Sequence, residues 1–361
     1  MRASSLGSPA VDMFSILSQC ALSLIRRERA TSIFIRLEGQ RCRQAPKPGV
    51  LVLTMAFGAL FLIQIESSAL AVEILPEVGG KVGQIRDKLC GQSFLVPPQR
   101  PYRTIPMDGD WLVHDTSGMD DCFPNVAAGA YPEQPWAGTS LPDLGEWTHG
   151  VWHIANTGHR EIILERTGKA LPYFASKVVR FVDDRVLEFS YRVENRGQFP
   201  IRYLWSAHPL ISVQDEYELV LPPGNLTFST FPANGRTYAW PAFEGKYLSR
   251  EWIPHGTNLK IFVAGLSEGW CELRLSTHTL RFVFDLNTVP VVGIWLNNFG
   301  FSSAGERAFR CIAVEPCTSP SDLLDDLDPR AYSRIAVGET AAWSLQLSIL
   351  PRESADAQKD D

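Results

Sequence analysis

The chain has 361 residues, 45% of them hydrophobic, 11% aromatic and 20% charged, enough apolar material for a sizeable core, which excludes wholesale disorder. The net charge of −6 is unevenly spread: residues 1–54 hold eight Lys/Arg against three Asp/Glu, a net +5, and the remainder carries 26 basic and 37 acidic side chains, a net −11. An acidic body excludes nucleic acid as the main partner, because phosphate binding needs a basic footprint.

Taken in chain order, the first feature is Val50–Ile65, VLVLTMAFGALFLIQI, a run without charge. It falls short of the roughly 20 residues that span a bilayer as a helix. Ala69-Leu70-Ala71 offers a small-x-small cleavage site, yet the run begins only at position 50, far too late for an ordinary signal peptide. The pattern predicts a first strand over Phe57–Ile65, a turn at Ser67-Ser68 and a second strand over Leu70–Leu75; a membrane anchor or export signal is the alternative. Met55 stands just before this strand. The domain is therefore expected over 55–352, with 1–54 an appended or mis-assigned extension and 353–361 (ESADAQKDD) a frayed tail.

Val78-Gly79-Gly80-Lys81 reads as a hairpin turn, because strand pattern continues beyond it and no phosphate-binding helix follows. Short strand-like runs then succeed one another: Val151–Ala155, Arg160–Glu165, Tyr173–Val182, Val186–Val193, Ile201–Ala207, Leu259–Gly265, Cys271–Leu275, Leu280–Asp285, Val291–Trp295, Ala308–Val314 and Ala342–Leu350. In Val186–Val193 the apolar residues Leu187, Phe189, Tyr191 and Val193 alternate, the period of a half-buried strand. Asp183-Asp184, Asn195-Arg196-Gly197, Pro222-Pro223-Gly224 and Asn234-Gly235 punctuate them. One helix is predicted, over Ser319–Leu327, with Ser319 as cap, Pro320 in the first turn and Asp322 as the capping-box acid. Many strands and scarce helices indicate an all-β sandwich or barrel.

Seven scattered cysteines without a CxxC pair form neither a disulfide framework nor a metal site, and imply reduced thiols in a cytoplasmic protein. Three places carry possible chemistry. His208, in Trp205-Ser206-Ala207-His208-Pro209, stands at the expected end of a strand and can exchange a proton near neutral pH. Glu315, in Ile312-Ala313-Val314-Glu315-Pro316, ends an apolar run, where burial would make it a usable base. The loops Gly118–Pro124 and Leu141–Trp147 mix acids, glycines and aromatics, the composition of carbohydrate sites, where hydroxyls need acceptors and pyranose faces stack on rings. Each also has an ordinary structural reading: a core histidine, a salt-bridged glutamate, a surface loop.

Together these residues resemble the aldose 1-epimerase (galactose mutarotase) family. The similarity lies in N-R-G-x-x-P-x-x-x-x-W-S-A-H-P, in G-M-D-D-C-F-P and L-P-D-x-G-E-W, and in C-I-A-V-E-P-C-T followed by G-E-T-A-A-W, with the Leu75–Val82 hairpin ahead of them. It spans residues 57–350. The resemblance implies a large antiparallel β-sandwich that interconverts the anomers of free sugars without cofactor or metal, as a monomer or homodimer. It makes His208 the general acid toward the ring oxygen and Glu315 the base toward the anomeric hydroxyl. The sugar-binding residues expected around them are Asp121, Trp147, His149, Trp205, Trp295 and Asn297. Two departures stand out: Leu144 replaces a histidine of many members, with His149 its candidate substitute, and Thr148 falls where the hexose-phosphate branch has an arginine, which points to an unphosphorylated sugar. Asn258 is a loose counterpart of the family's sugar-binding Asp. The alternative function is a carbohydrate-binding or sugar-sensing protein on the same fold without catalysis.

Overall fold

The computed structural model describes residues 51–54, 60–113, 116–325, 328 and 332–352. Within them the chain is almost entirely antiparallel β-structure; the helical segments are two single turns, Trp111–Val113 and Glu146–Thr148. Two sheets carry the fold. The larger has eleven strands in the order Leu51–Thr54, Phe61–Glu66, Leu70–Leu75, Lys81–Asp87, Met119–Cys122, Ser206–Ser212, Arg310–Cys317, Val291–Asn298, Thr257–Ala264, Thr227–Phe231 and Tyr238–Ala239. The smaller has eight: Glu218–Val220, Trp270–Arg274, His278–Phe284, Thr340–Pro351, Val186–Asn195, Tyr173–Asp183, Glu161–Thr167 and His153–Thr157.

Period-2 burial turns these ribbons into a sandwich. Val186–Asn195 buries Leu187, Phe189, Tyr191 and Val193, the face anticipated from the alternation. Tyr191 meets Trp205, just ahead of the Ser206–Ser212 strand, at a ring separation of 4.9 Å, while Trp147, Tyr191, Tyr203 and Trp343 form a stacked series between the sheets. Such pairs add about 0.5–1.5 kcal/mol each beyond the area they bury. The same interior holds ions. Lys177 projects inward from Tyr173–Asp183, donating to Asp121 Oδ2 at 2.5 Å and to the Gly80 carbonyl at 3.1 Å, while the Tyr191 hydroxyl donates to Asp121 Oδ1 at 2.7 Å. A charge pair survives there because the ammonium has two acceptors and both carboxylate oxygens have donors.

The apolar run at 50–65 is not one strand. Leu51–Thr54 pairs antiparallel with Phe61–Gln64, so pairing in the larger sheet starts upstream of position 55, and Phe57 lies outside the described residues. No helix of the described residues is long and apolar enough to cross a membrane. Gly79 and Gly80, at φ 65° and 66°, make the expected hairpin turn; a Cβ on Gly79 would stand 2.6 Å from the Thr148 carbonyl. The predicted strand over Ile201–Ala207 is broken into Ile201–Tyr203 and Ser206–Ser212, because the intervening amides bond elsewhere, Leu204 to the Pro124 carbonyl and Trp205 to Thr318 Oγ1.

The predicted helix over Ser319–Leu327 is a correction. Residues 319–325 form bends and a turn, and 326–327 lie outside the described residues. Ser319 Oγ does accept the Ser321 amide at 3.0 Å, as a cap would. The Asp322 carbonyl, however, accepts the Ala127 amide at 2.9 Å, and its carboxylate turns inward toward Lys260. Tertiary partners outcompete the local helix signal. Cys122, Cys271, Cys311 and Cys317 are buried free thiols and Cys90 is exposed; Cys20 and Cys42 lie outside the described residues.

Candidate active site

Five adjacent strands in the middle of the larger sheet build the site. His208 lies in Ser206–Ser212, opposite Asp120 of Met119–Cys122. On the other side Leu210 pairs with Ala313, which brings Arg310–Cys317 and Glu315 alongside; Val291–Asn298 and Thr257–Ala264 follow. His208 and Glu315 are thus inside their strands, not at strand ends as expected. Pro209 and Pro316 sit within the pairing, where the sequence had suggested termination. By alternation, His208, Leu210, Ala313, Glu315, Trp295 and Lys260 share the face of the sheet turned away from the sandwich core.

His208 Nε2 stands 3.9 Å from Glu315 Oε1, with side-chain exposures of 9% and 0%. This is nearer than the width of a pyranose. Glu315 Oε2 accepts from Ser206 Oγ at 3.2 Å and from Lys260 Nζ, whereas Oε1 has no hydrogen-bond partner among the described residues. Lys260 Nζ also lies 3.8 Å from Asp322 Oδ1. Opposite Glu315 the neighbouring strand carries Gly293, where a Cβ would press on Glu315 Cβ at 3.3 Å and Phe262 at 3.4 Å.

Burial dominates the electrostatics. It pushes the His208 imidazole down to about 3, helped by the Lys260 and Lys81 ammoniums and opposed by Asp120, so the ring is neutral at physiological pH. Burial alone would also depress Lys260, but the Asp322 and Glu315 carboxylates override it and hold the ammonium above its ordinary value. Asp322 is pushed up by burial and by Glu315, against the pull of Lys260. Asp120 is itself held by Lys81 Nζ at 2.7 Å.

Loops roof this face. Trp111 stands edge-on to His208 at 6.3 Å, Trp295 lies against it at 6.2 Å, and Phe301 meets Trp295 at 5.3 Å. Trp111, Leu144, Ile105, Cys122 and Val126 pack as one small apolar cluster, against which Phe301 rests. The Trp111 indole N–H is buried without a hydrogen-bond partner among the described residues. Leu144 is held at φ 58°, a left-handed conformation costly for a side chain of this kind, directly before Gly145 at φ 74°.

The expected sugar-binding set divides. Trp295 joins His208 and Glu315. Asp121, Trp147 and Trp205 face the sandwich interior, where they carry the ion pair and ring stack already described. Asn297 is fully buried and shapes the roof: its Nδ2 donates to the Phe301 and Phe309 carbonyls, and its Oδ1 accepts the Gly300 and Phe301 amides. His149 is likewise a clasp, its ring nitrogens meeting Thr148 Oγ1, the Gly145 carbonyl and the Gly109 carbonyl at 2.8, 3.0 and 3.2 Å. Asn258 is exposed, and its Nδ2 donates to the Gly300 carbonyl at 3.4 Å. Sequence reasoning missed Lys260, Asp322 and Trp111. A lone lysine in an apolar strand carries no motif, and Asp322 was absorbed into the helix signal.

A separate cleft of about 370 Å³ opens beside Thr104–Met107 and Arg166 and includes neither His208 nor Glu315.

No family model matches the chain, and no curated protein is similar to it in sequence. Solved structures do share its fold. A galactose mutarotase-like protein from Clostridium acetobutylicum superposes with a TM-score of 0.61 at 12% identity, covering 84% of this chain and 99% of its own. A proposed aldose 1-epimerase from Escherichia coli K12 gives 0.63 at 13% identity over 81% of this chain and 99% of its own. A galactose mutarotase-like protein from Lactobacillus casei gives 0.59 at 16% identity over 80% and 99%. The protein therefore has the galactose mutarotase-like fold, as the sequence motifs implied.

Proposed function

We propose that the protein is an aldose 1-epimerase-like enzyme that interconverts the anomers of an unphosphorylated sugar by acid–base catalysis. The observation that carries this reading is the convergence of His208 and Glu315, 107 positions apart in sequence, to 3.9 Å beneath an aromatic roof, with Glu315 Oε1 left without a hydrogen-bond partner among the described residues. Ring opening needs one proton removed at the anomeric O1 and one delivered at the ring oxygen O5. Glu315 Oε1 is the acceptor for the first, and His208 Nε2, beside it, faces the second. Trp111 and Trp295 offer ring surfaces of the kind that pack against a pyranose. A neutral sugar is supported by the site's cations being already engaged, Lys81 by Asp120 and Lys260 by Glu315.

Because an amide matches a carboxylate in shape but not in basicity, Glu315→Gln is expected to keep sugar binding and lose about 10²–10⁴-fold in rate. Polarimetry or anomeric exchange NMR on freshly dissolved hexoses reads the rate, and calorimetry reads the binding. An unchanged rate removes Glu315 from the mechanism. Carbohydrate binding without catalysis is the second reading, favoured by the contact of Lys260 with Glu315, which already engages one oxygen of the carboxylate. It predicts heat on sugar titration and no acceleration by the wild-type protein.

A further inference from the structure

We propose that Trp111 is a specificity-determining residue: its indole N–H donates to the exocyclic O6 of a hexopyranose, so the site prefers sugars that carry a hydroxyl at C6. The inference deepens the epimerase reading and rests on it for a sugar lying across His208 and Glu315. Trp111 is 4% exposed, and its Nε1 has no hydrogen-bond partner among the described residues. Native proteins pair nearly all such donors, and a buried N–H that stays unpaired calls for an acceptor from outside the chain. Two more polar atoms on this side of the larger sheet are unpaired in the same way, His208 Nδ1 and Glu315 Oε1.

The order of the strands places Trp111 at one end of the sugar. Met119–Cys122 borders Ser206–Ser212 on one side, and Arg310–Cys317 with Glu315 borders it on the other. Cys122 alternates with Asp120 on the site face of the first strand, and Trp111 packs in one cluster with Cys122 and Leu144. The Trp111 ring also meets the His208 ring edge-on at 6.3 Å. Glu315, His208 and Trp111 therefore follow one another across the face. In a hexopyranose the bonds run O1, C1, O5, C5, C6. With O1 at Glu315 and O5 at His208, C5 and its C6–O6 arm extend toward Trp111. The rest of that cluster is Ile105, Val126, Leu144 and the Cys122 thiol, so the indole N–H is its one strong hydrogen-bonding side-chain group. The indole thus gives C6 an apolar wall and O6 a donor lying in the ring plane.

The test sets galactose against D-fucose and glucose against D-quinovose, pairs that differ only in the C6 hydroxyl. Calorimetry reads affinity and NMR reads anomeric exchange, for the wild type and for Trp111→Phe, which keeps an aromatic ring and removes the N–H. The wild type is expected to favour galactose and glucose over their deoxy partners by about 5- to 150-fold. Trp111→Phe should lose that factor on galactose and glucose and change little on the deoxy sugars, so the preference disappears. Equal losses on both members of a pair would overturn the inference, since the ring would then act through packing alone. An unchanged preference in Trp111→Phe would overturn it as well, by showing that another group reads O6.

If Trp111→Phe fails to fold, the wild type carries the test through its indole ¹⁵N–H resonances. Galactose should shift one buried indole signal that D-fucose leaves in place, and the same response to both sugars would overturn the assignment. A wild type that prefers galactose in binding yet does not speed anomeric exchange would overturn the epimerase reading alone. One that binds none of the four sugars would overturn both.

Discussion

The Lys177–Asp121 pair shows what a charge inside the sandwich requires. Lys177 and Asp121 are 1% and 2% exposed, and each depends on the other for a counter-charge. Removing one partner leaves a buried uncompensated charge, a loss of about 3–5 kcal/mol, whereas replacing both by apolar side chains of similar size is close to neutral. Lys177→Met should therefore unfold at distinctly lower urea than the wild type, and Lys177→Met with Asp121→Leu should recover most of the difference. Additive losses in the double variant would deny the coupling. His208 and Glu315 were legible in the sequence because each stands in a recognisable motif. Asp121 and Trp147 misled because acids and aromatics look alike in a sugar site and in a polar core. Strand alternation separates them: Asp120 faces the site and Asp121, one residue on, the interior.

At the scale of elements, the roof is held by side-chain clasps. His149 ties the loop after Leu141 to the 105–109 segment through the Gly109 carbonyl, and the Gly150 amide adds a bond of 2.7 Å to the Ile105 carbonyl. His149→Ala removes the ring contact to the part-buried Gly109 carbonyl, a cost of about 1–3 kcal/mol, equivalent to roughly 5- to 150-fold in a local opening equilibrium. Hydrogen exchange at Gly109 and Trp111 should quicken by that order, with exchange in Val186–Asn195 unaltered. Unchanged protection at Gly109 would show that the clasp is idle. Both ring nitrogens of His149 are committed to loop atoms, which leaves it in a bracing position and not as the expected substitute at Leu144. Strands were read from period-2 patterns with errors of a few residues at their ends, because alternation survives whatever the tertiary partner. The segment at 319–325 was misread because its capping residues have better partners across the fold than along the chain.

For the whole molecule, the seam between the sheets matters at low pH. Asp87 ends a strand of the larger sheet and binds Arg185 at 2.8 Å and His278 at 3.2 Å, the latter on the smaller sheet. Burial would raise its carboxyl, but Arg185, the Leu89 and Cys90 amides and His278 bring it down to about 2 from 3.8. A depressed folded value stabilises above the unfolded one, so this contribution, on the order of 2 kcal/mol, is complete near pH 5–6 and fades as pH falls toward 2. Asp87→Asn should lower stability at pH 6 and flatten that acid dependence in urea titrations; an acid limb of unchanged steepness would exclude Asp87 as its source. The sandwich class could be read from the chain, yet the strand order could not, because neighbours such as Met119–Cys122 and Ser206–Ser212 are chosen by packing across long separations. That order bears on how the protein comes into being. Asp120, His208, Lys260 and Glu315 come from distant stretches of sequence and become neighbours only when the middle of the larger sheet has zipped into register. Loop closure over such spans must precede any reward from the contacts. No fragment lacking one of these strands contains the complete cluster, so the site exists only once all of them have paired.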